Sequence, residues 1–185
     1  MTVEDFNKIV KIKLDNLSTT VYCNKSQPDH LFSDLQRLYH YTPNEEYYQW
    51  ALLTADKLMC FGIQIRKQIL NNSSLAHAIK IIKGTLLRKA DQYALGDDRL
   101  YNFKLQAKQL DCDPIQVLIG NVNKHIACAM DYFERGALMT QELAEELSKD
   151  IICYSLLMTA LAIESLGISP SDIHFEKSIY VKTVS

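Results

Sequence analysis

Glycine and proline are scarce in this chain, six and four among 185 residues, and strict alternation of apolar and polar residues is almost absent. Strand-built folds need turn residues at short intervals, so this composition argues against a sandwich or barrel and for an all-α fold. No C-x-x-C pair occurs. The five cysteines (Cys23, Cys60, Cys112, Cys128, Cys153) are odd in number, and Cys60, Cys128 and Cys153 fall in helical patterns, which predicts reduced, mostly buried thiols. The longest apolar stretch, Ile151 to Ile163, contains Cys, Tyr, Ser and Thr and falls short of the ~20 residues a bilayer span requires. The polar, amphipathic start Met-Thr-Val-Glu-Asp-Phe has no leader pattern. These features predict a cytosolic protein with no membrane partner. A dominant charge is also missing: 20 basic and 22 acidic residues leave a net charge of -2, so nucleic acid is not an expected partner.

What the chain does have is helical periodicity. A first helix is expected over about Val3 to Leu17, using Phe6, Ile9, Val10 and Leu14, and a second over about Asp29 to His40. Thr19 to Asn24 could form a short extended piece. Thr42-Pro43 signals the start of a long helix to about Leu70, and Asn71-Asn72-Ser73-Ser74 closes it and caps the next. Four further helices are expected over Leu75 to Tyr93, Asp98 to Leu110, Pro114 to Arg135 and Gln141 to Leu166. Asp113-Pro114 and Thr140 mark starts, Gly136 and Gly167 stops. The expected organisation is a helical bundle: an N-terminal helical extension (1–74), a four-helix unit (75–168) and a C-terminal tail (169–185). A single four-helix unit would leave apolar faces uncovered, which favours a homo-oligomer.

Charges inside apolar stripes give the functional lead. In the last helix, Leu143, Glu146, Leu147, Asp150, Tyr154, Leu157, Met158 and Leu161 fall on one face. Acids on a core-facing stripe must be paired, protonated or metal-bound. Carboxylates four residues apart project from adjacent turns and can share a hard cation such as Mg²⁺, with Mn²⁺ as a substitute. Lys89 occupies an apolar position in its own helix, where it either snorkels or faces these acids. The Pro114 helix has a core face and an opposite stripe of Val117, Asn121, Lys124, Cys128, Asp131 and Arg135, either a solvated face or the wall of a polar pocket. His125 lies at the border of its core face. Asp97 and Asp98 suit helix capping, Asn102 extends their surface, and Glu45 and Glu46 suit the first turn of a helix.

The set Lys89-Ala-Asp-Gln-Tyr93, Asp98-Arg-Leu-Tyr-Asn102-Phe103, Lys124-His125 with Asp131, and Glu146-x-x-x-Asp150-x-x-x-Tyr154 resembles a group of small phage and prophage proteins. Those are similar to the MazG-like all-α nucleoside triphosphate pyrophosphohydrolases. The resemblance covers about residues 75 to 165, and its motifs are more specific together than singly. It implies a helical bundle, often oligomeric, that binds Mg²⁺ and cleaves a (deoxy)nucleoside triphosphate to the monophosphate and pyrophosphate. It further implies Glu146 and Asp150 as catalytic metal ligands, with Asp98 or Asp131 completing the set. Lys89, Lys124 and His125 would contact phosphates or hold the acids, and Tyr93, Asp98 and Asn102 would line the site. The chain departs from the pattern in three places. No Glu-Glu-x-x-Glu helix precedes Glu146, Glu146 and Asp150 are one residue further apart than the usual pair, and Gln92 stands where an Asp is usual.

Two functional classes follow. One is a Mg²⁺-dependent nucleoside triphosphate pyrophosphohydrolase whose nucleophile is a metal-bound water. The other is a degenerate bundle that binds a nucleotide or a host protein without turnover, its charges serving only to fix helix register. Tyr39-His40-Tyr41 and Tyr47-Tyr48 would suit a protein-binding surface or a packed seam.

Overall fold

The structure, a computed structural model, describes residues 1–17, 28–69, 79–86, 96–136 and 138–172. It is helical, with no strand among the described residues, as the composition predicts. We label the helices α1 (Val3–Leu17), α2 (Pro28–His40), α3 (Glu45–Ile69), α4 (79–86, the described part), α5 (Tyr101–Leu110), α6 (Pro114–Arg135) and α7 (Gln141–Leu166), followed by a short 3₁₀ turn, Pro170–Asp172. The expected extended piece at Thr19 to Asn24 lies outside the described residues.

α7 is the central element. Its most extensive packing is against α3, with further contacts to α6 and α1. From Ile151 to Ile163 most side chains are buried, including Ile151, Ile152, Leu156, Met158, Ala160, Leu161 and Ala162. A helix apolar around most of its circumference belongs inside the molecule. What lets α3 come close is a series of small residues: Ala144, Ser148, Ser155 and Thr159 are all fully buried. Their hydroxyls stay satisfied by bonding back to their own helix, Ser148 to Glu145 O, Ser155 to Ile152 O and Thr159 to Ser155 O. Across from them, α3 presents Gly62, where an added Cβ would lie 2.7 Å from Ile152 Cγ1 and 3.1 Å from Ser148 O. The buried Arg66 of α3 donates to Ser148 Oγ at 3.3 Å, and burial lowers its pKa.

The N-terminal helices share this core. Phe6, Ile9 and Leu14 of α1, and Leu31, Leu35 and Leu38 of α2, belong to one apolar cluster with α3, α6 and α7, so packing draws no line near residue 74. Lys57 pairs with Asp34, and the Arg37 guanidinium sits 4.2 Å from the centre of the Trp50 ring, both joining α2 to α3. The buried Lys13 of α1 pairs with Asp56 of α3.

Local signals explain most of the ends. Asp113 and Gln116 form a capping box at α6, and Thr140 caps α7 by accepting from Leu143 N at 3.2 Å. Gly136 and Gly167 stop these helices in the left-handed region, at φ 64° and 65°. α3 starts later than Thr42-Pro43 suggests, because the Asn44 side chain accepts from Tyr47 N at 2.8 Å and acts as the cap. α5 starts at Tyr101, not Asp98. The Asp98 carboxylate bonds Leu100 N at 3.0 Å in the turn before the helix, not as its cap.

Candidate functional site

The seam between α6 and α7 gathers the residues that carry chemistry. On α6, Val122, Ile126 and Ala129 point into the core, and His125, next to Ile126, lies at the border with its side chain 12% exposed. On α7, Asp150 and Tyr154 are four residues apart and share a face. His125 Nε2 lies 4.0 Å from Asp150 Oδ2, and the His125 and Tyr154 rings are 5.7 Å apart at 41°. Lys149 Nζ is 3.9 Å from Asp150 Oδ1, and the exposed Lys124 flanks His125 on the sequence. The Asp150 side chain is 13% exposed, so the carboxylate is largely withdrawn from water. At 4.0 Å the His–Asp pair is electrostatic, beyond direct hydrogen-bond range. An imidazole N–H and lysine ammonium groups can donate to phosphate oxygens, and the phenol and imidazole rings can stack on a base.

The sequence-based site is corrected in several places. Glu146 is exposed, not core-facing. At its level α7 turns Ala144, Leu147 and Ser148 inward instead, so the expected stripe is really the border of the buried face. Asp98 does not join Asp150. Its carboxylate holds Lys104 Nζ at 2.9 Å, and Lys104 bridges on to Glu164 at 2.7 Å. Glu164 is fourteen residues beyond Asp150 on α7, roughly 21 Å along the axis at 1.5 Å per residue, too far for two carboxylates to share one cation. Asp131 is exposed and lies six residues past His125 on α6, about 120° around that helix, which matches the solvated-face reading. Lys124 is exposed, and Asn102 is half-buried on α5 beside the Asp98 end. Lys89 and Tyr93 lie outside the described residues.

A Mg²⁺ site of the kind the resemblance implies therefore does not fit the described residues. Among them, no group of three or more His, Cys, Asp or Glu side chains could hold a metal ion. Of the four expected acidic ligands, only Asp150 stands in the seam.

No family model, curated protein or solved structure matches the chain. The MazG-like resemblance thus rests on the motif residues themselves, of which His125, Asp150 and Tyr154 meet at the seam.

Two further clusters escape sequence reading. Lys104 and Glu164 join Asp98 and the Met1 amine in one network. Burial works to raise the Asp98 pKa, but the Lys104 ammonium and Leu100 N–H outweigh it and hold the pKa below its usual value. Burial likewise works against the Lys104 ammonium, and Glu164 and Asp98 overcome it and raise its pKa. The second cluster surrounds Asp113, which accepts from Tyr48 Oη at 2.8 Å, Tyr47 Oη at 3.3 Å and Ile115 N at 2.8 Å. Burial, and then the Asp113 charge, push the Tyr47 phenol far up. Neither partner set follows from helical period, because each joins residues 60 or more apart in sequence.

Proposed function

We propose that the protein is a nucleotide-binding helical bundle whose site is the α6–α7 seam around His125, Asp150 and Tyr154. The observation that carries this reading is the meeting of His125 with Asp150 and Tyr154 at one largely buried locus, 4.0 Å between imidazole and carboxylate. These are residues on which the resemblance to nucleoside triphosphate pyrophosphohydrolases was drawn. In this reading His125, Lys124 and Lys149 meet the phosphates, Tyr154 packs on the base or sugar, and Asp150 orients His125 and accepts from a ligand hydroxyl or amine. The described acids do not carry turnover by themselves, so binding without hydrolysis is the form we favour over Mg²⁺-dependent cleavage to the monophosphate and pyrophosphate.

The test is to incubate the full chain with each NTP and dNTP, with and without Mg²⁺ or Mn²⁺, while following thermal shift and pyrophosphate. A nucleotide-dependent rise in melting temperature without pyrophosphate supports this form. Pyrophosphate release that Asp150→Asn abolishes would instead establish the hydrolase. No shift and no release would overturn both.

A further inference from the structure

The two tyrosine-rich runs end in different places. Tyr47 and Tyr48 donate to Asp113, which makes that run a packed seam. Tyr39-His40-Tyr41, at the end of α2, stays outside: Tyr39 is 46% exposed, His40 is exposed and Tyr41 is half-buried. α3 brings the half-buried Trp50 to the same corner, its ring 6.3 Å from that of Tyr41 and at 89° to it. Arg37, exposed on α2, lies over the Trp50 ring at 4.2 Å. A guanidinium held on an aromatic face keeps the N–H donors around its edge for a partner in its own plane. Among the described residues Arg37 forms no ion pair, for Asp34, one turn back on α2, is engaged by Lys57. His40 lies three residues on, on the same side of α2, and its ring meets Tyr39 at 5.3 Å. The corner is not uniformly basic. Glu46, exposed one turn before Trp50, and the neighbouring exposed Glu45 put carboxylates on the α3 side.

We propose that this corner docks an acidic peptide segment of a partner protein, with one carboxylate on the Arg37 fork and an adjoining apolar side chain against Tyr41 and Trp50. Charge and composition both argue for that occupant. Arginine, tyrosine and tryptophan are the side chains that most often anchor protein interfaces, and the edge of a guanidinium matches a carboxylate with two parallel hydrogen bonds. An uncharged apolar partner would cover the guanidinium and leave it unpaired. A polyanion such as nucleic acid would meet Glu45 and Glu46 as well as Arg37, whereas a peptide with a single acid among apolar residues meets the cation and clears those carboxylates. The corner shares no residue with the α6–α7 seam.

The experiment selects binders of the full chain from a displayed library of random peptides, then measures the selected peptides in solution by fluorescence polarisation. The expected peptides carry Asp or Glu beside an aromatic or aliphatic residue. Arg37→Glu should weaken their binding by about tenfold or more and leave the melting temperature near that of the wild type, since the position is exposed. Arg37→Gln should show a loss in the same direction, which guards against a folding defect in the charge reversal. Replacing the peptide's acid by its amide should weaken binding to the wild type by a similar factor and change binding to Arg37→Glu little, the signature of a direct pair. His125→Ala should bind the peptides as the wild type does, so failure here is distinguishable from failure of the seam reading. No selected peptide, selected peptides without an acid, equal binding by Arg37→Glu, or displacement of the peptide by single-stranded DNA would overturn the proposal.

Discussion

Asp113 shows how much one side chain organises. It caps α6 through Ile115 N, and it collects the hydroxyls of Tyr47 and Tyr48 from α3. A buried acid survives there because several donors satisfy it. Tyr47 is itself fully buried, so Tyr47→Phe removes a donor without opening a cavity, and we expect a loss of about 1 kcal/mol in urea denaturation. Asp113→Ala should cost more, about 2–3 kcal/mol, because it removes the cap and leaves the buried Tyr47 hydroxyl unpaired. At the seam, His125→Ala is expected to lower stability modestly while abolishing nucleotide-dependent thermal shift, which separates a binding role from a packing role.

Among the elements, the α3–α7 contact decides the architecture, and two glycines test it in opposite directions. Gly62→Ala would drive a methyl against Ile152 and Ser148, and we expect a destabilisation of about 1–3 kcal/mol by chemical denaturation. Gly120→Ala on α6 meets nothing within 4 Å and should stabilise by about 0.5–1 kcal/mol, because alanine loses less backbone freedom in a helix. Helix positions were legible in the sequence: α1, α6 and α7 occupy the expected ranges because their apolar spacing and caps agree. The face of α7 was not. Ser148, Ser155 and Thr159 lie off the apolar stripe drawn from the period, yet their hydroxyls bond their own helix and allow close packing. That shift of the buried face puts Glu146 outside while leaving Asp150 within, so half of the expected acidic pair was legible. The place of His125 at the border of the α6 core face was legible from the period, but Lys149 has no periodic signal and enters only through proximity to Asp150.

Over the whole molecule, charge ties distant parts together. Asp98, Lys104 and Glu164 join the turn before α5, α5 itself and the end of α7. The Asp98 pKa is depressed below 3.8, so its contribution to stability is present above that value and is lost as pH falls through the folded-state pKa. The Lys104 pKa is raised above 10.5, so its contribution is present below 10.5 and is lost as pH rises through the folded-state value. Both groups are about one-third exposed, which limits the network to about 1 kcal/mol. Lys104→Met should therefore lower stability by about that amount at neutral pH. Its deficit should shrink as the pH falls well below 3.8. Urea midpoints measured across that range check both statements.

The central claim, a nucleotide site at the α6–α7 seam, is tested most directly by calorimetric titration of the full chain with a nucleoside triphosphate. Wild type, His125→Ala and Asp150→Asn should be compared under the same conditions. The account predicts saturable binding to the wild type and a loss of about tenfold or more in each variant. Absence of binding to the wild type, or binding that both seam variants retain, would contradict it.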